Sequence, residues 1–207
     1  MLALSGAIHR IKKAGPSVRD DPHFIPVPPF SALGASPATT LRNGGCCSGL
    51  TRLNIVCLHS LAYKAWQITL YHSTGTARHC LLEVSFAGRN MLVDPTYGFY
   101  YVDEFGRGLG LSELRAGQCP SFASLPGSKD TSYPQNEYYQ FDYTNTKTAN
   151  WTINCIRKAL YGILACITRG RIDTLRQPPY LEWPQLILIS AISGVTLILD
   201  VILLFVL

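Results

Sequence analysis

Charge is scarce in this sequence: Asp, Glu, Lys and Arg together make up 15% of it. The basic residues do not cluster beyond Arg10-Ile11-Lys12-Lys13, and 18 Lys and Arg against 13 Asp and Glu leave a net charge of only +5. A nucleic-acid surface needs a denser basic stripe, so no nucleic-acid partner is expected. Cysteine is thin and odd in number, seven residues without short-loop spacing, which excludes a disulfide scaffold. Zinc spacing is missing too. Neither C-x-x-C nor H-x-x-x-H occurs, so a metal held by Cys46, Cys47, His79 and Cys80 is only an alternative, and no metal or cofactor is expected. No internal repeat is found.

What is present is apolar. Hydrophobic residues make up 47% and aromatic residues 11% of 207 residues, which excludes disorder over most of the length and fits one domain with appendages. From Leu186 to Leu207 the only charge is Asp200. At ~1.5 Å per residue this stretch crosses a ~30 Å hydrocarbon layer as a helix, with Tyr180 and Trp183 at the interface. Residues 185–207 are therefore expected to be a transmembrane helix, with Asp200 needing a partner or a protein contact. Arg169, Arg171 and Arg176 precede it, which places the folded part on the cytoplasmic side. Unpaired cysteines agree with a reducing compartment. The opening MLALSGAIHRIKK has too short an apolar run and the wrong charge order for a signal peptide.

Along the chain, residues 3–13 read as a short basic helix, and Gly15 to Thr40 as a Pro/Ser-rich linker. Leu50, Leu53, Cys57, Leu61 and Ala65 recur at three and four residues and predict a helix running to about Trp66. Residues 79–86 and 89–94 read as strands of a hairpin around Ala87-Gly88. A third strand over 99–102, a short helix around Ser112–Arg115, a loop over 119–136 and a tyrosine-rich strand over 137–143 complete the central part. Ile153, Ile156, Leu160, Ile163 and Ile167 predict a second amphipathic helix over 152–169. The expected organisation is thus an N-terminal helix and linker (1–40), a central domain (41–150), an amphipathic helix and connector (151–184) and the apolar tail. Asn150-Trp151-Thr152 matches a glycosylation pattern by chance.

Most cysteines read as small core residues, as Cys57, Cys80, Cys119, Cys155 and Cys166 do. Cys46 and Cys47 differ, because they sit where Asn43-Gly44-Gly45 enters a helix. The positive end of the helix dipole favours a thiolate there, and the glycines leave room for a substrate backbone. A thiolate nucleophile needs a base and the base an orienter. His9, His23 and His72 lie in weakly organised segments and His59 lies mid-helix. His79 opens the first hairpin strand and Asp94 closes the second. With the turn at Ala87-Gly88, Asp94 lies opposite Leu81, and His79 is its diagonal neighbour on the same face, within reach of a hydrogen bond.

The stretch from Gly44 to Tyr101 resembles the catalytic core of the transglutaminase-like superfamily, through GGCCSGLTRL, RHCLLEV and NMLVDPTYG. It is most similar to bacterial members with a DPTYG-type segment, a Gly turn and an L-S-x-L helix, here Phe105-Gly106-Arg107 and Leu111-Ser112-Glu113-Leu114. The resemblance implies an α+β fold with a papain/transglutaminase-like core, its catalytic helix packed on an antiparallel sheet. It maps the nucleophile onto Cys47, with Arg52 and Leu53 at the spacing of the family, and leaves Cys46 as the second choice. It maps the base onto His79 and the orienting carboxylate onto Asp94. The oxyanion side chain of the family has no clear counterpart, so the Cys47 backbone N–H is the first donor and Asn43 a second. The activity implied is acyl transfer from a peptide or protein amide, as peptidase, amidase or transglutaminase, on a membrane-tethered protein. The alternative is a non-catalytic module of the same fold that binds or assembles at the cell envelope.

Overall fold

The computed structural model describes residues 1–14, 37–72, 75, 77–128, 141–147, 151, 155–174 and 184–206. The interior of the expected linker, most of the tyrosine-rich segment, Asn150, Thr152, Arg176, Tyr180 and Trp183 lie outside the described residues. Three helices come first: α1 (Leu2–Ala14), α2 (Pro37–Asn43) and α3 (Cys47–Ser60). Four strands follow, β1 (Lys64–Tyr71), β2 (Ala77–Phe86), β3 (Arg89–Asp94) and β4 (Phe99–Val102). Then come α4 (Leu111–Arg115), β5 (Ser121–Ser124), β6 (Thr146–Lys147), α5 (Cys155–Ile167) and α6 (Pro184–Val206). The six strands form one antiparallel sheet in the order β5-β4-β3-β2-β1-β6, so the fold is α+β.

Helix α3 is buried on two sides. Ile55 and Leu58 pack on the sheet against Leu82, Val84 and Val93, while Leu50 and Leu53 pack against Ile8 of α1. The three- and four-residue repeat in the sequence is therefore the side that α1 covers, and the sheet side is carried by Ile55 and Leu58. Burying each of these side chains contributes about 1.5–3 kcal/mol. The opposite sheet face packs Trp66, Ile68, Leu70, Leu81, Leu92, Phe99 and Tyr101 under Leu109 and the α4 residues Leu111 and Leu114. Glu83 is buried in this layer because it accepts from the Trp66 indole N–H (2.9 Å) and the Leu111 N–H (2.8 Å).

Four expectations are corrected. The helix from Cys47 stops at Ser60 rather than at Trp66, and Ala65 and Trp66 belong to the central strand β1. It stops in a Schellman motif, with Ala62 N–H donating to His59 O and Tyr63 N–H to Leu58 O, and Ala62 at φ 62°. An alanine in that left-handed position hides the stop signal that glycine would have given. Strand β5 forms inside the expected loop, its Phe122 ring edge-on to Phe99 (4.9 Å) and Tyr101 (5.1 Å). Phe141 to Tyr143, the described end of the expected strand, are not strand, and Tyr143–Asn145 forms a 3-10 turn before β6. Helix α1 is part of the core: Ser5 Oγ donates to Asn54 Oδ1 (2.8 Å), and His9, expected in a loosely organised segment, is buried.

Helix α5 seats Tyr161, Leu164 and Ala165 on Trp151 and Ile172, and Lys147 Nζ donates to the Tyr161 hydroxyl (2.8 Å). In α6 the described side chains run from Ile192 to Phe205, about 21 Å of helix at ~1.5 Å per residue. Among the described residues no helix is long and apolar enough to cross a membrane, so the expected transmembrane span is not found there.

Candidate active site

Helix α3 begins at a reversal that the sequence dictates locally. Gly44 adopts φ 74°, a left-handed conformation that turns the chain out of α2, and Cys46 follows in extended conformation as the N-cap. The Cys46 side chain makes no capping hydrogen bond; its exposed sulfur lies 3.2 Å from Ser48 Oγ. Cys47, the first helical residue, is half-buried. Thr51 lies one turn further along the same helix face, and its hydroxyl donates to the Cys80 carbonyl (3.2 Å). That bond docks the start of α3 over the start of β2, where the Cys47 thiol acts on both neighbours, helping to raise the pKa of His79 and to lower that of Cys80.

The hairpin supplies the other two groups. Its turn places Ala87 (φ 49°) and Gly88 (φ 78°) both in the left-handed region, as a two-residue type I′ turn requires. The register runs from Phe86 opposite Arg89 to Leu82 opposite Val93, which leaves Asp94 beside Leu81 and diagonal to His79. His79 Nε2 donates to Asp94 Oδ2 at 2.6 Å. With Nε2 held by Asp94, the ring nitrogen left for the Cys47 thiol is Nδ1. Asp94 is fully buried, and its second oxygen accepts from the N–H groups of Thr96 (2.7 Å) and Tyr97 (3.0 Å). The turn that carries it is braced from outside: His9 Nδ1 donates to the Pro95 carbonyl (3.1 Å). Gly98, at φ 76°, closes the turn against His9, where a Cβ would lie 2.7 Å from Nε2. The Tyr97 ring covers the imidazole at 5.3 Å between centroids.

Electrostatics differ sharply among these groups. Burial works to lower the His79 pKa, but the Asp94 charge and hydrogen bond, with the Cys47 hydrogen bond, carry it up to about 10. The ring is therefore protonated at neutral pH, and a cation lies against the Cys47 sulfur. The Cys46 thiol is pushed up to about 12, chiefly by its hydrogen bond with Cys47 and by desolvation. This corrects the expectation that the helix dipole favours a thiolate at either cysteine; at Cys46 the neighbouring thiol prevails. Cys80 is lowered, first by its hydrogen bond with Cys47 and then by Thr69, against the cost of burial.

His79 and Asp94 are thus paired, the Cys47 end of α3 is docked over the start of the same strand, and Cys46 faces solvent. The side chain of Asn43 lies outside the described residues. Cys119 and Cys166, expected in the core, are exposed, and Cys57 is half-buried. His59 closes α3 and donates to the Ala65 carbonyl (2.8 Å), away from the site. Sequence reasoning missed Tyr97 and His9 as neighbours of the His79–Asp94 pair, and weighed Cys80 only as a metal ligand or a core residue. Tyr97 was visible only as a letter of DPTYG, and His9 needs the docking of α1 to acquire a role. Among the described residues no group of three or more His, Cys, Asp and Glu is arranged to hold a metal ion. No family model, curated protein or solved structure matches this chain.

Proposed function

We propose that this chain is a transglutaminase-like thiol enzyme that transfers the acyl group of a peptide or protein amide through Cys47, His79 and Asp94. The observation that carries the reading is the buried His79–Asp94 pair, 2.6 Å apart, on the strand over whose start the Cys47 end of α3 is docked. A papain/transglutaminase-like core, with the nucleophile at the start of a helix that packs on an antiparallel sheet, belongs to the same reading.

In the mechanism, the Cys47 sulfur attacks the amide carbonyl carbon while His79 carries the thiol proton. The oxyanion of the tetrahedral intermediate is met by the Cys47 backbone N–H, which at the first helical position has no intrahelical acceptor. Protonated His79 then gives its proton to the leaving nitrogen, the C–N bond breaks, and a thioester on Cys47 remains. Neutral His79 next takes a proton from the acceptor as it attacks the thioester, and the sulfur leaves. Water as acceptor gives hydrolysis, the outcome we favour; a primary amine gives transamidation. Asp94 keeps the ring in one orientation and stabilises the imidazolium.

The protein is proposed to be membrane-tethered through α6. The support is a series of exposed large apolar side chains from Ile192 to Phe205. Arg169 and Arg171 are exposed ahead of it and favour a cytoplasmic placement of the folded part. The deciding experiment is mass spectrometry of the intact chain incubated with glutamine- and asparagine-containing peptides, with and without a primary amine. A thioester at Cys47 with release of ammonia or peptide supports the enzyme. A chain that binds peptide but never acylates Cys47 would instead be the non-catalytic envelope module.

A further inference from the structure

We propose that Cys80 is a resolving thiol for Cys47, so that hydrogen peroxide converts the site reversibly into a Cys47–Cys80 disulfide. Acyl transfer gives Cys80 no task, yet it lies where the first turn of α3, which carries Cys47 and Thr51 on one face, docks on β2. It is buried on the α3 side of β2, its pKa is lowered chiefly by the Cys47 thiol, and its own sulfur lies 3.8 Å from Thr69 Oγ1. The Thr51 hydroxyl bond to the Cys80 carbonyl holds helix and strand at this spacing. Both sulfurs are free thiols in the structure.

The chemistry follows from position. Cys47 is half-buried beside a protonated imidazole, which is the setting in which a thiol reacts with peroxide. Its thiolate attacks one peroxide oxygen, the O–O bond breaks, and Cys47 becomes a sulfenic acid as hydroxide leaves and is protonated to water. The Cys80 sulfur, as thiolate, then attacks the Cys47 sulfur, the S–O bond breaks, and a second water leaves. Two thiols and one peroxide thus become one disulfide and two waters. Cys46 also touches Cys47 but is the wrong partner. Adjacent residues have Cα atoms about 3.8 Å apart across a trans peptide, below the roughly 4.4–6.8 Å that a disulfide spans. Cys46 also stays protonated, with its thiol pushed up to about 12.

The inference uses the thiol contacts and not the amide activity, so its test reads thiols alone. The full chain is treated with a few equivalents of hydrogen peroxide, the remaining thiols are alkylated, and tryptic peptides are analysed without reduction. The expected product joins Asn43–Arg52, which contains Cys46 and Cys47, to His79–Arg89, with fragmentation placing the bridge on Cys47. Dithiothreitol should return Cys47 alkylation to its starting level. In Cys80→Ser, and equally in Cys80→Ala, Cys47 should be trapped by dimedone as the sulfenic acid and pass on to sulfinic acid that dithiothreitol does not recover. Cys46→Ser should leave the crosslink in place. A bridge between Cys46 and Cys47, or full thiol recovery in both Cys80 variants, would overturn the proposal. The proposed acyl transfer fails separately, by the absence of a thioester.

Discussion

At the residue scale, position within one helical turn separates two cysteines of identical chemistry. Cys46 precedes the helix with its sulfur towards Ser48 and solvent, whereas Cys47 starts it, half-buried, on the face that Thr51 docks on β2. Cys47→Ala is therefore expected to abolish labelling by a thiol-directed amide mimic, and Cys46→Ala to leave most of it. His79→Ala should slow acyl transfer by about 10²–10⁴-fold, the usual worth of a positioned acid–base, and Asp94→Asn by less, because Asp94 acts only through the ring. Stopped-flow labelling of the four variants checks the order; loss at Cys46→Ala alone would reverse the assignment of the nucleophile. The same pair predicts a pH signature. His79 is raised from 6.5 to about 10 in the folded chain. A raised basic pKa contributes stability that is fully present below the unfolded value and is lost as pH rises through the folded one. Urea unfolding of the wild type and His79→Gln should differ most near pH 6 and converge towards about pH 10. A pH-independent difference would mean that the ring is held by packing rather than by charge.

At the element scale, the site depends on two pieces of backbone, each a tight turn. Ala87 occupies a left-handed position in the hairpin turn that sets the register of His79 and Asp94. Asparagine tolerates that conformation and alanine does not, so Ala87→Asn should raise stability by about 1 kcal/mol without altering labelling of Cys47. Thermal or chemical denaturation gives the difference directly, and a destabilised variant would contradict the turn assignment. The second piece is the Asp94–Gly98 turn, on which α1 leans through His9. His9→Ala leaves the Pro95 carbonyl without its donor and should cost about 1–3 kcal/mol of stability. Because Asp94 sits on that turn, the variant should also lower the rate of Cys47 labelling; an unchanged rate would reduce α1 to a purely structural cover.

At the scale of the whole molecule, the chain divides into a body built on the six-stranded sheet and an apolar helix whose described side chains face outwards. Ile192, Leu197, Ile198, Leu199, Leu203 and Phe205 are all exposed on α6. Covering such side chains is worth about 1.5–3 kcal/mol each, which outweighs a cost of a few kcal/mol for Asp200 in lipid. The full chain is expected in the detergent phase of a phase-separation assay. Deletion of residues 184–207 should move it to the aqueous phase with Cys47 labelling intact. Recovery of the full chain as a soluble monomer without detergent would refute the tether.

Local patterns in the sequence were enough to place the hairpin, its turn, the start of α3 and the diagonal relation of His79 to Asp94. Each of these is a short-range property: a two-residue turn sets the register, and the register sets which side chains share a face. The same kind of reading failed where the information was not local. Helix α3 ran on into β1 in the sequence pattern because Ala62 takes a conformation that its side chain disfavours, and because β1 is fixed by pairing with β2 and β6 rather than by its own pattern. Strand β5 lies in a Pro- and Ser-rich stretch and exists because β4 offers an edge and Phe122 fits against Phe99 and Tyr101. The docking of α3 on β2 through Thr51 and Cys80, the two-sided burial of α3 and the bracing of Asp94 by His9 all join residues distant in sequence. Such contacts follow from how layers stack and not from periodicity along the chain, so only the tertiary structure decides them.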